Sequence, residues 1–225
     1  MLTRDRIDIF MVGEFDDYQV LQALHRFPLE GRQVDLQFSY SQPYVNVVKE
    51  KIEPRQSSQS ILQLGYQFSC QYGDKDYFAL IVFNAMFGEF AHSALFTTLR
   101  EKEGLAYSIS SQFDIFTGLL NVYAGIDKKN RNRAMQLINR QFSTIRTGRF
   151  SEALLKQTKK MLQVNLKLAG DSPKVLIERS YNGQYLKNHY SVDDMIDNID
   201  KVNKADVMQL TKNIKLQALY FLEGK

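Results

Sequence analysis

From Tyr77 to Phe87 the chain is apolar almost all the way round at helical spacing, with Phe78, Leu80, Ile81, Val82, Phe83 and Met86 pointing in every direction. A helix with no polar stripe has no face to offer water, so it must be buried. It belongs in the middle of a fold, and the elements around it decide which fold. A strand is predicted over Ser60 to Ser69, with Asp74 as the N-cap of the apolar helix. Ala106 to Ile115 and Leu119 to Ile126 read as a hairpin across Phe116-Thr117-Gly118. An opening strand is predicted over Arg6 to Val12, then a helix from Asp16 and Asp17 through Val20, Leu21, Leu24 and Phe27 until Pro28 stops it. Residues 29–59 carry one strand, Val45 to Ile52.

The second half of the chain is mostly helical. Asp127 is placed to cap a helix that runs to about Arg146, and Ser151 to cap the next. Ser172 precedes Pro173, a cap followed by proline at the first helical position. Ser191 with Asp194, and Asn203 with Asp206, have the spacing of capping boxes. A closing strand spans Ala218 to Leu222. Strands and helices thus come in groups, which predicts an α+β fold with a largely antiparallel sheet packed against a layer of helices.

Several classes of function are disfavoured by composition. The 225 residues carry 29 Lys and Arg against 25 Asp and Glu, a net charge of +4. Opposite charges are interleaved, as in Arg100-Glu101-Lys102-Glu103, so the basic balance is a solvated surface and not a nucleic-acid stripe. No segment has the length and apolarity of a membrane span, and the first residues lack the pattern of a secretion signal. Cys70 is the only cysteine, which fits a reducing compartment. The expected location is the cytoplasm.

The chemistry available is narrow. His25, His92 and His189 are the only histidines. They are far apart, outside any H-x-x-E-H or H-E-x-x-H pattern, so the chain lacks the three ligands that zinc catalysis needs. Cys70 has no basic neighbour in sequence and reads as a structural thiol. What remains is the segment from Ser93 to Ser108, where Arg100 ends a helix, Gly104 turns the chain and Tyr107 begins a strand. The plain reading is a packed corner, with Leu95, Phe96 and Leu99 in the core and Arg100 favoured by the helix dipole. The functional reading sends a guanidinium and a phenol into one cleft, where two donors stabilise a developing oxyanion.

The run LFTTLREKEGLAYS resembles the signature of the second domain of pitrilysin/insulinase-type zinc metallopeptidases. The buried helix ending at Phe87-Gly88, the hairpin with Gly118 and the opening RIDIFMVGEFDD are similar to the same domain. His92 and Glu89 depart from it, in a turn that the family usually makes smaller and richer in glycine. The resemblance implies one half of a clamshell, with residues 1–225 as a single zinc-free, C-terminal-type domain. Zinc is implied for a partner half only; none is expected in this chain. It further implies that Tyr107 meets the scissile carbonyl of a peptide and Arg100 a neighbouring one, and that the chain does not hydrolyse peptides alone. The missing zinc half has three explanations: an excised fragment, one subunit of a two-subunit enzyme, or a scaffold that partners an active paralogue. The chain is also similar to a Gram-positive bacterial subgroup in which a motif-lacking member accompanies an active one, a group linked to elongation factor P modification.

Overall fold

A computed structural model describes residues 7–27, 43–170, 172–186 and 188–224. Five strands form one sheet: β1 (Lys49–Pro54), β2 (Ser60–Gln67), β3 (Ala106–Asp114), β4 (Leu119–Ile126) and β5 (Lys215–Glu223), in the order β1-β5-β2-β4-β3. Only the β1–β5 pair is parallel; β2 runs antiparallel to both β4 and β5, and β3 antiparallel to β4. The sheet is therefore mixed, with the antiparallel majority that the grouping of elements predicts.

Seven α-helices accompany it among the described residues: α1 (Asp17–His25), α2 (Tyr77–Asn84), α3 (Arg131–Arg146), α4 (Glu152–Ala169), α5 (Pro173–Leu186), α6 (Val192–Lys201) and α7 (Lys204–Lys212). The apolar α2 is buried along nearly its whole length and packs among β3, α4, α6 and α7. Its aromatic side chains continue into a cluster. Phe142 of α3 lies parallel to Tyr66 of β2, with ring centroids 5.2 Å apart, and edge-on to Phe83 and Phe87 at 5.7 Å each. Offset and edge-to-face pairs of this kind add to the stabilisation that burial supplies.

The helix caps follow the sequence closely. Ser151 accepts from the backbone N–H of Leu154, and both capping boxes are formed, Ser191 with Asp194 and Asn203 with Asp206. Asp74 does not cap α2. Its carboxylate accepts from the N–H of Gln71 and closes the preceding turn, while Asp76 takes the cap position. Two more expectations need correction. Ile7 to Val12 form no strand: these residues are largely exposed, and Phe10 sits edge-on to Tyr181 of α5 instead of joining a ladder. A strand has no stability of its own without a hydrogen-bonded neighbour. The strand expected at Val45 to Ile52 begins four residues later, and α1, for all its helical spacing, buries none of its residues. Arg6, Pro28 and residues 29–42 lie outside the described residues.

One face of the sheet is covered by helices, with Leu62, Leu64, Leu120, Val122, Ile109, Leu219 and Phe221 beneath them. The other face is open. Gln63, Tyr123 and Ser110 share one cross-strand row on it, and Gly65, Asn121 and Gln112 another. Across β2, β3 and β4 it carries neutral polar and small residues with Tyr123, and toward β1 the first row continues through Tyr220 to Lys51. No described helix is long and apolar enough to cross a membrane.

Candidate functional site

The corner that carries Arg100 and Tyr107 starts in the buried helix. After Asn84 the α-helical winding of α2 loosens into a π-helical turn, Ala85–Glu89, and a second π-helical stretch, Phe96–Lys102, follows the turn at His92. Such widened turns are rare in helices and frequent at functional sites. Leu95 and Leu99 are fully buried, which matches the packed-corner reading of this helix. Its end is closed by Gly104 at φ +59°, where the N–H of Leu105 reaches back to the carbonyl of Leu99. That bond satisfies a helix-end carbonyl in the manner of a glycine cap.

Arg100 is exposed, and its guanidinium carbon stands 4.9 Å from the centre of the Phe96 ring, one helical turn earlier. Tyr107 is 60% exposed, and its hydroxyl donates to Oδ1 of Asp127 at 3.0 Å. No hydrogen bond joins Arg100 to Tyr107 among the described residues. They flank the same glycine turn, each held by a different partner.

The orientation of Tyr107 comes from a break in strand register. Ala106 pairs with Ile126 and Ser108 with Gly125, so Tyr107 is the extra residue of a β-bulge. Ala106 and Ile109 are buried, while Tyr107 and Ser108 between them are both exposed. Counted back from the buried Ile109, strict alternation would have turned Tyr107 into the core and Ala106 out of it. The bulge resets the phase, which is how strands re-aim a side chain. Hydrogen bonding to the Asp127 carboxylate, and that carboxylate's charge, raise the Tyr107 pKa further above neutral than its ordinary value.

Sequence reasoning assigned Asp127 to helix capping, and it makes no side-chain cap bond. Its carboxylate serves Tyr107 instead. Counting outward from the Gly118 turn puts positions 107 and 127 at one end of the hairpin, a signal available once the bulge is allowed for. A polar chain within the fold was missed as well. Ser111 donates to Oδ1 of the buried Asn84 at 2.8 Å, and Asn84 donates to Oε2 of Glu89 at 2.9 Å. Desolvation raises the Glu89 pKa; the Asn84 bond offsets this in part. The sign follows directly. The folded protein holds this proton more tightly than the unfolded chain, so the associated stability is complete below the ordinary carboxyl range and is lost as pH rises through the folded pKa. Glu89→Gln keeps an acceptor for Asn84 and removes the charge. Thermal melts should show the variant more stable than the parent at pH 8, with the difference closing by about pH 4; equal melting curves at pH 8 would rule this out.

The remaining candidates take structural places. Nε2 of His92 lies 3.0 Å from Oγ1 of the buried Thr158, and burial lowers its pKa. His25 ends α1, and His189 packs where Gly183 leaves room for its ring. Cys70 is buried, and its pKa is pushed up to about 12, mainly by desolvation and then by Asp74 and Asp76. A thiol held in that state is not a nucleophile at neutral pH. Among the described residues no three His, Cys, Asp or Glu side chains gather closely enough to hold a metal ion. The described residues do not fit a catalytic zinc.

Comparison with known proteins shows the family and the fold. The family model described as the peptidase M16 inactive domain matches residues 1–162. The chain is 35% identical, over 99% of its length and 53% of the relative's, to the probable inactive metalloprotease YmfF of Bacillus subtilis. It is 27% identical over 73% of its length to the antilisterial bacteriocin subtilosin biosynthesis protein AlbE of the same species, covering 42% of that protein. Among solved structures, a conserved protein from Enterococcus faecalis superposes with a TM-score of 0.87 at 37% identity, covering 94% of this chain and 50% of that one. A peptidase M16 inactive domain from Pseudomonas fluorescens superposes at 0.75 with 16% identity, over 93% and 50% of the two chains, which shows the shared fold. The chain spans about half the length of the relatives it matches.

Proposed function

The chain belongs to the peptidase M16 inactive-domain family, and we propose that it is the zinc-free half of a cytoplasmic peptidase assembly, positioning a peptide through Tyr107 and Arg100 for a zinc site on another half or subunit. In this reading residues 1–225 act as one C-terminal-type domain, and the open sheet face is the side turned toward the peptide. The observation that carries the reading is the bulge at Tyr107. A buried tyrosine would need no register break, whereas this one is turned out of the sheet with its hydroxyl tethered and its proton retained.

The chemistry is a donor exchange. At rest the phenol donates to Asp127; when a peptide lies across the open face, the hydroxyl turns from Asp127 to the carbonyl oxygen as negative charge develops there. The exposed Arg100 guanidinium, steadied against Phe96, donates to a neighbouring carbonyl. Neither group needs to change protonation state. A donor aimed at a developing oxyanion contributes about 10²–10³ in rate, so Tyr107→Phe should cut hydrolysis of a quenched-fluorescence peptide about a hundredfold. The assay pairs this chain with a zinc-motif-bearing half or paralogue. Unchanged turnover in the Phe variant would remove Tyr107 from the mechanism.

A second reading has its own support. One relative covering almost all of this chain is described as a probable inactive metalloprotease, and folds commonly outlast their chemistry. In that case the chain is a scaffold that partners an active paralogue, and the Arg100–Tyr107 pair is idle. Complex formation without any Tyr107-dependent turnover is the outcome that favours it.

A further inference from the structure

Beside Asp127, where the ends of β4 and β5 meet the start of β2, lies a cavity that the substrate-positioning reading leaves unused. Ser58, Ser60, Asp127, Lys128, Lys129 and Gly224 line about 470 Å³. It shares Lys128 and Gly224 with an adjoining space of about 240 Å³ that holds Arg55. Pockets of some hundreds of cubic ångströms accept a few heavy-atom groups and take their specificity from a small number of placed polar side chains.

The charges here are unevenly spent. Asp127 already accepts from the Tyr107 phenol. Glu223 is paired with Lys128 at 3.3 Å. Lys129, by contrast, makes no ion pair or hydrogen bond among the described residues. Ser60 is almost wholly buried and accepts from the N–H of Gly224 at 2.9 Å, which leaves its own proton free to be donated. Ser58, exposed at the rim, supplies a second hydroxyl. The lining thus has one uncommitted cation and two hydroxyl donors; of the nearby carboxylates, Glu223 is paired with Lys128, and Asp127 is held by Tyr107 until a peptide draws the phenol away. A singly charged planar anion suits this set. A dianion such as a phosphate would meet Asp127 and Glu223 at close range.

The geometry points to this pocket as a binding site for a peptide carboxylate, held by Lys129 together with the Ser58 and Ser60 hydroxyls. The assignment rests on the reading of the open face as peptide-facing. A peptide passing Tyr107 also passes Asp127, and the group it delivers there is its own C-terminal carboxylate or an acidic side chain a short distance from the positioned carbonyl.

The test uses the 225-residue chain, labelled with ¹⁵N, and three N-acetylated alanine–tyrosine pentapeptides. One has a free C-terminal acid, one a C-terminal amide, and one an amide with a central glutamate. The expected result is displacement of the backbone amide signals of Ser58, Ser60 and Lys129 by an acid-bearing peptide and not by the neutral amide. Lys129→Gln should weaken that binding about tenfold, as for loss of a charge-assisted hydrogen bond. Binding of the free acid assigns the pocket to a peptide end, and binding of the glutamate peptide to an acidic side chain. Equal shifts from the neutral amide, no shifts from any peptide, or unaltered affinity in Lys129→Gln would each overturn the assignment. The readout is binding alone. A Tyr107→Phe variant with full turnover defeats the positioning role without moving these signals, and absent signals defeat the pocket without touching Tyr107.

Discussion

Phe142→Ala is expected to destabilise the domain by about 3–5 kcal/mol, the range for deleting a buried phenylalanine. Phe142 is 8% exposed and sits where three elements meet: β2 through Tyr66, the last turn of α2 through Phe83, and the π-helical turn that follows it through Phe87. Alanine leaves all three rings without their common neighbour, and the fixed sheet cannot close the gap. For a chain of this size the loss corresponds to a fall in melting temperature of roughly 6–20 °C. Chemical denaturation of parent and variant measures it, with Phe142→Leu as a milder companion that refills part of the space. A cost below about 1 kcal/mol would mean that the aromatic cluster repacks freely, contrary to its geometry here.

Gly88→Ala should be nearly as damaging, for the opposite reason. A Cβ at Gly88 would lie 2.6 Å from Oγ of Ser111, 2.7 Å from its backbone N and 2.8 Å from its Cβ. Two of those atoms belong to β3 or are fixed to it, so no flexible side chain can move aside. Overpacking typically costs 1–3 kcal/mol; against backbone, about 3 kcal/mol is expected here. Pairing Gly88→Ala with Ser111→Gly should restore only part of the loss, because the β3 amide remains in place. The same contact holds the first π-helical turn against the strand that carries Tyr107. A soluble, folded Gly88→Ala protein with the parent's melting temperature would show that the turn floats free of β3.

These two positions show what the sequence made legible. The burial of α2 was readable because an all-apolar helix has one stable place. The hairpin was readable because Gly118, at φ +66°, stands between two alternating runs. The capping boxes were readable because their bonds are local. The π-helical turns were not, since they depend on how tightly Gly88 approaches Ser111, a contact between residues more than twenty positions apart. The Tyr107–Asp127 bond stayed hidden for a related reason. A single-residue bulge shifts the register, and Asp127 at a helix start looks like a cap whether or not it caps. The strand expected over Arg6 to Val12, absent across its described residues 7–12, shows the converse: alternation in sequence predicts a strand only where the fold supplies a neighbour.

β1 ends the sheet and reads Lys-Glu-Lys-Ile-Glu-Pro, exposed at every position. Two such borders brought together in parallel register would oppose lysine to lysine and glutamate to glutamate, and the final proline has no amide proton to share. Strands guarded in this way resist fibril-like stacking. Along β1, then, the sheet of one copy is a poor template for the sheet of another.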